Sequence, residues 1–276
     1  MTVHREFISN SPGILYKVVR TWREVDSRPA LVYTGNSWFR EGYYLTVNPV
    51  PWKGREVLLV FLALIGVNWF FSVMFKETAA APSIQFFMAA ASLQAFTVIG
   101  LVVYFVRSRY RLSWTYLGLT SVPVSRVLAA GLGGGLLLFF SVSLMSLLMN
   151  WLIPQPVEPQ PYVEIFLTAQ NGWQILGVVL IGSLIAPLSE EIYFRGFLYP
   201  YFRERLGVDF GLWASAIIFG ALHLDLIRFV PLTLGGYGLA LIYQRTGSLW
   251  ASIIAHGVWN GIMTLLVYWS ARAGFM

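Results

Sequence analysis

Six residues that could do chemistry stand inside or at the ends of long apolar runs. Glu190, Glu191 and Arg195 interrupt one run, His223 closes the next, and His256 and Asn260 share the last. A charged side chain inside a membrane span is costly, and by default it marks a functional site. Glu191 and Arg195 are four apart, so they share a helix face and can pair; Glu190, about 100° round the helix, stays free of that pair. Pro187 removes one backbone hydrogen bond and predicts a kink that opens space beside Glu190. His256 and Asn260 are again four apart, and Phe219 lies one turn before His223, where it would pack on the imidazole. At about 1.5 Å per residue, Glu190, His223, His256 and Asn260 lie roughly 18, 20, 10 and 16 Å along their helices from one membrane face. Three helices thus carry acid, imidazole and amide to similar depths.

A carboxylate in a poorly hydrated pocket can serve as general base toward water, and a nearby histidine can share the proton or orient that water. A second histidine with an asparagine can donate hydrogen bonds to the oxyanion formed when water attacks an amide. The set suffices for peptide hydrolysis by activated water, with no covalent intermediate. Acyl-enzyme routes lack support, because the chain has no Gly-x-Ser-x-Gly elbow and no cysteine. Zinc is a second reading: Glu190, His223 and His256 are ligand types that zinc accepts, but no His-Glu-x-x-His helix is present. The metal-free reading is preferred.

The elements that must position these groups are membrane helices. The chain has 276 residues, 57% hydrophobic and 12% charged, against about 25% charged in an ordinary soluble domain. That excludes disorder and argues against a single water-soluble globule. Apolar runs cover Val57–Phe75, Ile84–Val106, Val127–Ile153, Trp173–Phe202, Phe210–Leu224, Phe229–Tyr243 and Leu249–Trp269. Only helices satisfy their own backbone in such runs, so the expected fold is all-α, a polytopic membrane bundle of about seven to eight helices around a central cavity. Gly131, Gly135, Gly235 and Gly236 read as close-packing positions between helices.

Three parts follow: an N-terminal cytoplasmic region (1–55), helices 1–3 with an outer loop (56–172), and the catalytic helical core (173–276). In the first part, Leu15, Val18, Val19, Trp22 and Val25 recur at helical spacing, which suggests an interfacial helix or a small folded cap. Leu31–Val50, with Gly35-Asn36 inside it, weakly suggests a hairpin. The first residues lack the apolar core of a signal peptide, so no cleavage is expected. Placing the N-terminus inside puts fifteen basic residues on cytoplasmic segments against three outside (Lys76, Arg228 and Arg272), as the positive-inside rule requires. With seven spans the C-terminus would lie outside. The net charge of +6 therefore concerns topology, and no nucleic-acid partner is expected.

Ser189-Glu190-Glu191-Ile192-Tyr193-Phe194-Arg195-Gly196 resembles the Glu-Glu-x-x-x-Arg motif of the CPBP family, which comprises CAAX prenyl endopeptidases and bacterial proteins related to bacteriocin processing and self-immunity. Phe219-Gly220-Ala221-Leu222-His223 resembles its Phe-x-x-x-His motif, and His256-Gly257-Val258-Trp259-Asn260 its His-x-x-x-Asn motif. The stretch Gly238–Trp250 is similar to the family's lead into the last motif. The resemblance covers about residues 174–270. It implies an intramembrane endopeptidase, integral to a cell membrane that is expected to be prokaryotic. Its partners would be membrane lipid and a protein or peptide substrate, lipidated or not. In that reading Glu190 activates water with help from His223, His256 and Asn260 stabilise the oxyanion, and Glu191, Arg195 and Phe219 support the site. Two alternatives stand beside it. One is a proton-coupled transporter, against which no self-similar halves are visible. The other is a non-enzymatic immunity or scaffold protein of the same fold.

Overall fold

The computed structural model describes residues 5–11, 14–21, 30–32, 49–77, 83–154 and 161–273. The chain divides into two units, Met1–Pro51 and Trp52–Met276.

The first unit carries a three-stranded antiparallel sheet in the order β1 (Arg5–Ser11), β2 (Ile14–Thr21) and β3 (Ala30–Val32). Ser11 pairs with Ile14 and Arg5 with Arg20 across β1 and β2, and Val19 pairs with Val32 across β2 and β3. This corrects the interfacial helix expected through Leu15, Val18 and Val19. The β-branched Ile14, Val18, Val19 and Thr21 favour extended backbone. Trp22, Val25 and most of the hairpin expected over Leu31–Val50 lie outside the described residues, as does His4.

The second unit is a polytopic helix bundle, with no strand among its described residues. Its helices are α1 (Gly54–Glu77), α2 (Ile84–Arg109), α3 (Val124–Leu152), α4 (Pro161–Leu167), α5 (Gly172–Leu206), α6 (Val208–Ala221), α7 (Leu226–Thr246) and α8 (Leu249–Arg272). Six of them (α1, α2, α3, α5, α7 and α8) are long and apolar enough to cross a membrane. The expected span over Phe210–Leu224 is the exception: α6 has 14 residues, about 21 Å of helix, short of the roughly 30 Å hydrocarbon core. Exposed faces are apolar, as at Trp69, Phe96, Phe140, Leu144 and Trp151, which suits lipid rather than water as the surrounding solvent.

Glycines let the rods close on one another. A methyl group at Gly131 would come within 2.7 Å of Ile254, and one at Gly135 within 2.7 Å of both Val258 and the Ala255 carbonyl, so α3 lies directly against α8. Gly236 meets Ala216 and Phe219 of α6, and Gly235 leaves room for Trp259 of α8. Helices α5, α6, α7 and α8 thereby bring the polar residues into one core.

Helix α5 is not regular along its length. It widens to π geometry at Ile181–Ile185 and again at Phe194–Leu198. Each wide segment ends two residues before a proline, Pro187 and Pro200. A proline cannot donate to the ladder, and π turns commonly accommodate such an interruption.

Candidate active site

Glu191 and Arg195 are fully buried and paired at 2.8 Å within one helix face. Arg195 also donates through Nη2 to the Gly236 carbonyl at 2.7 Å, and its guanidinium lies 4.9 Å from the Phe219 ring centroid. Glu191 Oε1 additionally accepts from His256 Nδ1 at 2.8 Å, and Oε2 accepts from the Ser252 hydroxyl. The ionised carboxylate has only acceptors to offer, so His256 carries its hydrogen on Nδ1. Its Nε2 is then directed at Glu190, 3.7 Å from Oε2 and beyond direct hydrogen bonding. Trp259 stacks on the imidazole at 5.5 Å and Phe219 meets its edge at 5.8 Å.

His223 lies just past α6, in the turn that reverses the chain, rather than within a spanning helix as expected. Leu224 follows in the left-handed region at φ 52°. His223 Nδ1 lies 2.9 Å from the Phe219 carbonyl. A carbonyl only accepts, so Nδ1 bears the hydrogen and Nε2 is left as the acceptor. The imidazole packs on Phe219 with ring centroids 5.0 Å apart.

Asn260 is placed by a backbone group that Pro187 sets free. In the wide turn Ala186 donates to Ile181 instead of Gly182, and Pro187 has no N–H to offer. The Gly182 carbonyl therefore lies outside the ladder, and Asn260 Nδ2 donates to it at 3.0 Å. Next to it, the Ser183 carbonyl lies against Gly257, where a methyl group would stand only 2.7 Å away. The kink expected at Pro187 is thus a widened turn that docks α8.

Glu190, His223, His256 and Asn260 line one cavity of about 300 Å³. A larger cavity of about 830 Å³, walled by α2, α4, α5 and α8, also reaches Glu190 and Asn260. Glu190 keeps 26% of its side chain exposed, so one of the adjacent glutamates is committed to structure and the other faces open space.

The sequence did not single out four neighbours of this cluster. Ser252 lies four residues before His256, a spacing that places it on the same face. Trp259 carries no charge to mark it in an apolar run, and Tyr162 lies in the segment between two such runs. Arg228, read as an outer-loop cation, lines both cavities from the first turn of α7 and pairs with Asp225 at 2.7 Å. Asp225 caps that helix by accepting the Arg228 backbone N–H at 2.9 Å.

Among the described residues no group of three histidine, aspartate or glutamate side chains is placed to hold one metal ion.

Residues 172–262, which contain every one of the motif residues, match the family model described as type II CAAX prenyl endopeptidase Rce1-like. That model describes the family whose motifs these residues resemble. The chain is 30% identical over 89 residues to the "Putative membrane peptidase YdiL" of Bacillus subtilis (strain 168), covering 32% of this chain and 36% of that protein. It is 28% identical over 88 residues to the "Uncharacterized protein YpbD" of the same organism, covering 30% of this chain and 42% of that protein. The matched region thus spans well under half the length of either curated relative. No solved structure matches the chain. The family-model match covers α5 to α7 and the first part of α8, and α1 to α4 with the N-terminal sheet stand outside it.

Proposed function

We propose that the protein is an intramembrane endopeptidase that hydrolyses a peptide bond with a water activated by Glu190. The observation that carries this reading is the convergence of Glu190, His223, His256 and Asn260 on one cavity, with Glu190 held clear of the buried Glu191–Arg195 pair. Glu190 takes a proton from the water as it attacks, and His223 Nε2 helps orient that water. The His256 Nδ1–H is committed to Glu191. Glu190 passes the proton it has taken to His256 Nε2, 3.7 Å from its Oε2, which turns the ring into a donor facing the cavity. With the Asn260 amide it supports the oxyanion, and it can return the proton to the leaving amine. Glu191, Arg195 and Ser252 hold the imidazole in place. These steps use the chain's own side chains, and metal-free hydrolysis is the form proposed.

The substrate would be a protein or peptide at the membrane, lipidated or not, with the N-terminus of the enzyme in the cytoplasm. Comparing the peptide termini in membranes of cells expressing the wild type and Glu190→Gln tests the proposal. New termini should form only with the wild type. Identical termini in both would overturn it.

A further inference from the structure

We infer that Tyr162, on the short helix α4 outside the family match, is a positioning residue for Asn260. The inference rests on the hydrolytic reading above, in which Asn260 supports the oxyanion. Tyr162 touches Gly182 directly and reaches Asn260 through Thr264. Its ring lies over Gly182, where a methyl group would come within 2.7 Å of Cε2 and of the hydroxyl oxygen. Gly182 is the residue whose carbonyl accepts Asn260 Nδ2 at 3.0 Å. On the other side, the Tyr162 hydroxyl is 2.9 Å from Thr264 Oγ1, and Thr264 Oγ1 donates at 2.9 Å to the Asn260 backbone carbonyl. The Tyr162 hydroxyl also lies 3.4 Å from the Val178 carbonyl of α5, so with Thr264 donating to Asn260 its single hydrogen is shared between that carbonyl and Thr264 Oγ1.

One side chain therefore spans α5 at Gly182 and α8 at Thr264, at the level where Asn260 crosses between them. Helix α4 can carry that load because it has its own anchor. Ile165 and Phe166 are buried in a small core with Ile84 of α2 and Val178 of α5. Phe166 stacks parallel to the Tyr162 ring at 6.2 Å, and Phe87 packs on it at the same distance. Tyr162 also lines the larger cavity beside Asn260. Catalysis is sensitive to displacements near 1 Å, so a brace that fixes the spacing of α5 and α8 bears on the reaction without touching substrate.

The test uses the full-length protein in proteoliposomes and a fluorescence-quenched peptide. The peptide spans a bond that wild-type membranes cleave and Glu190→Gln membranes do not. Tyr162→Phe keeps the ring and removes the hydroxyl. It should lower kcat about tenfold while KM changes less than about twofold. Thr264→Val should match it, and Thr264→Ser, which keeps the hydroxyl, should restore most of the rate. In an Asn260→Ala background, Tyr162→Phe should cost no further rate, because its effect passes through Asn260. An equal loss in both backgrounds, or no loss in the wild type, would overturn the inference. Hydrogen exchange gives a substrate-free arm. Tyr162→Phe should speed exchange over 256–268 and 178–186, and unchanged protection there would also overturn it. If the wild type cleaves nothing, the hydrolytic reading fails, and this arm still reports on the brace.

Discussion

His256 is held by Glu191 and aimed at Glu190: Nδ1 donates to Glu191 Oε1 at 2.8 Å, while Nε2 stands 3.7 Å from Glu190 Oε2. Adjacent glutamates on a helix point about 100° apart, so the pair is divided by geometry. Glu191 disappears into a closed set of donors from Arg195, His256 and Ser252, and Glu190 opens onto the cavities. A double glutamate is thus a compact way to orient a histidine and present a carboxylate beside it.

That division predicts different stability costs. Glu191→Gln leaves the buried Arg195 without its counter-charge, a loss of about 3–5 kcal/mol. Ser252→Ala removes one hydrogen-bond donor and should cost about 1 kcal/mol. Tryptophan-fluorescence melting of detergent-solubilised protein reads both. A Glu191→Gln protein that melts with the wild type would contradict the assignment of Glu191 to structure.

Pro187 leaves the Gly182 carbonyl free for Asn260. Pro187→Ala returns an N–H to the helix, which competes for that carbonyl. The variant should melt at or above the wild-type temperature while its turnover falls about tenfold, the trade expected where a strained feature serves function. Undiminished turnover would show that the widened turn has no part in placing Asn260.

Close packing of α3 on α8 makes a paired prediction. Gly135→Ala forces a methyl group to within 2.7 Å of Val258, and displacing a well-packed contact costs about 1–3 kcal/mol. Gly133, two residues earlier, meets nothing within 4 Å, so Gly133→Ala should leave the melting temperature unchanged or raise it. Equal effects would mean that helix propensity rather than interhelical contact decides.

Metal removal separates the two chemistries weighed from the sequence. Chelator-treated protein, shown to be zinc-free by elemental analysis, should keep its cleavage rate if the chain's own residues activate the water. Loss of activity with recovery on adding zinc would favour the ligand set of Glu190, His223 and His256.

The polar cluster was legible because a charge in an apolar run is rare and i,i+4 spacing fixes a shared face. That spacing pairs Glu191 with Arg195, and His256 with Asn260, in the sequence alone. The fold class followed from the lengths of the apolar runs. Three features were hidden for physical reasons. The widened turns of α5 redirect carbonyls that an ideal 3.6-residue repeat would have kept in the ladder. Helix α6 stops at Ala221, so His223 belongs to a turn although the apolar run continues past it. Near the N-terminus, the apolar residues of β2 fit helical and extended spacing alike over so short a stretch, and strand pairing decides between them.

In the proposed mechanism everything turns on the Glu190 carboxylate as the base. The direct measurement is the rate at which purified protein in proteoliposomes cleaves the quenched peptide, wild type against Glu190→Gln. The two side chains have nearly the same shape, so packing is preserved while the base is lost. Glu190→Gln should lower kcat about 10²–10⁴-fold, with the melting temperature unchanged. Retention of wild-type turnover by a correctly folded Glu190→Gln protein would contradict it.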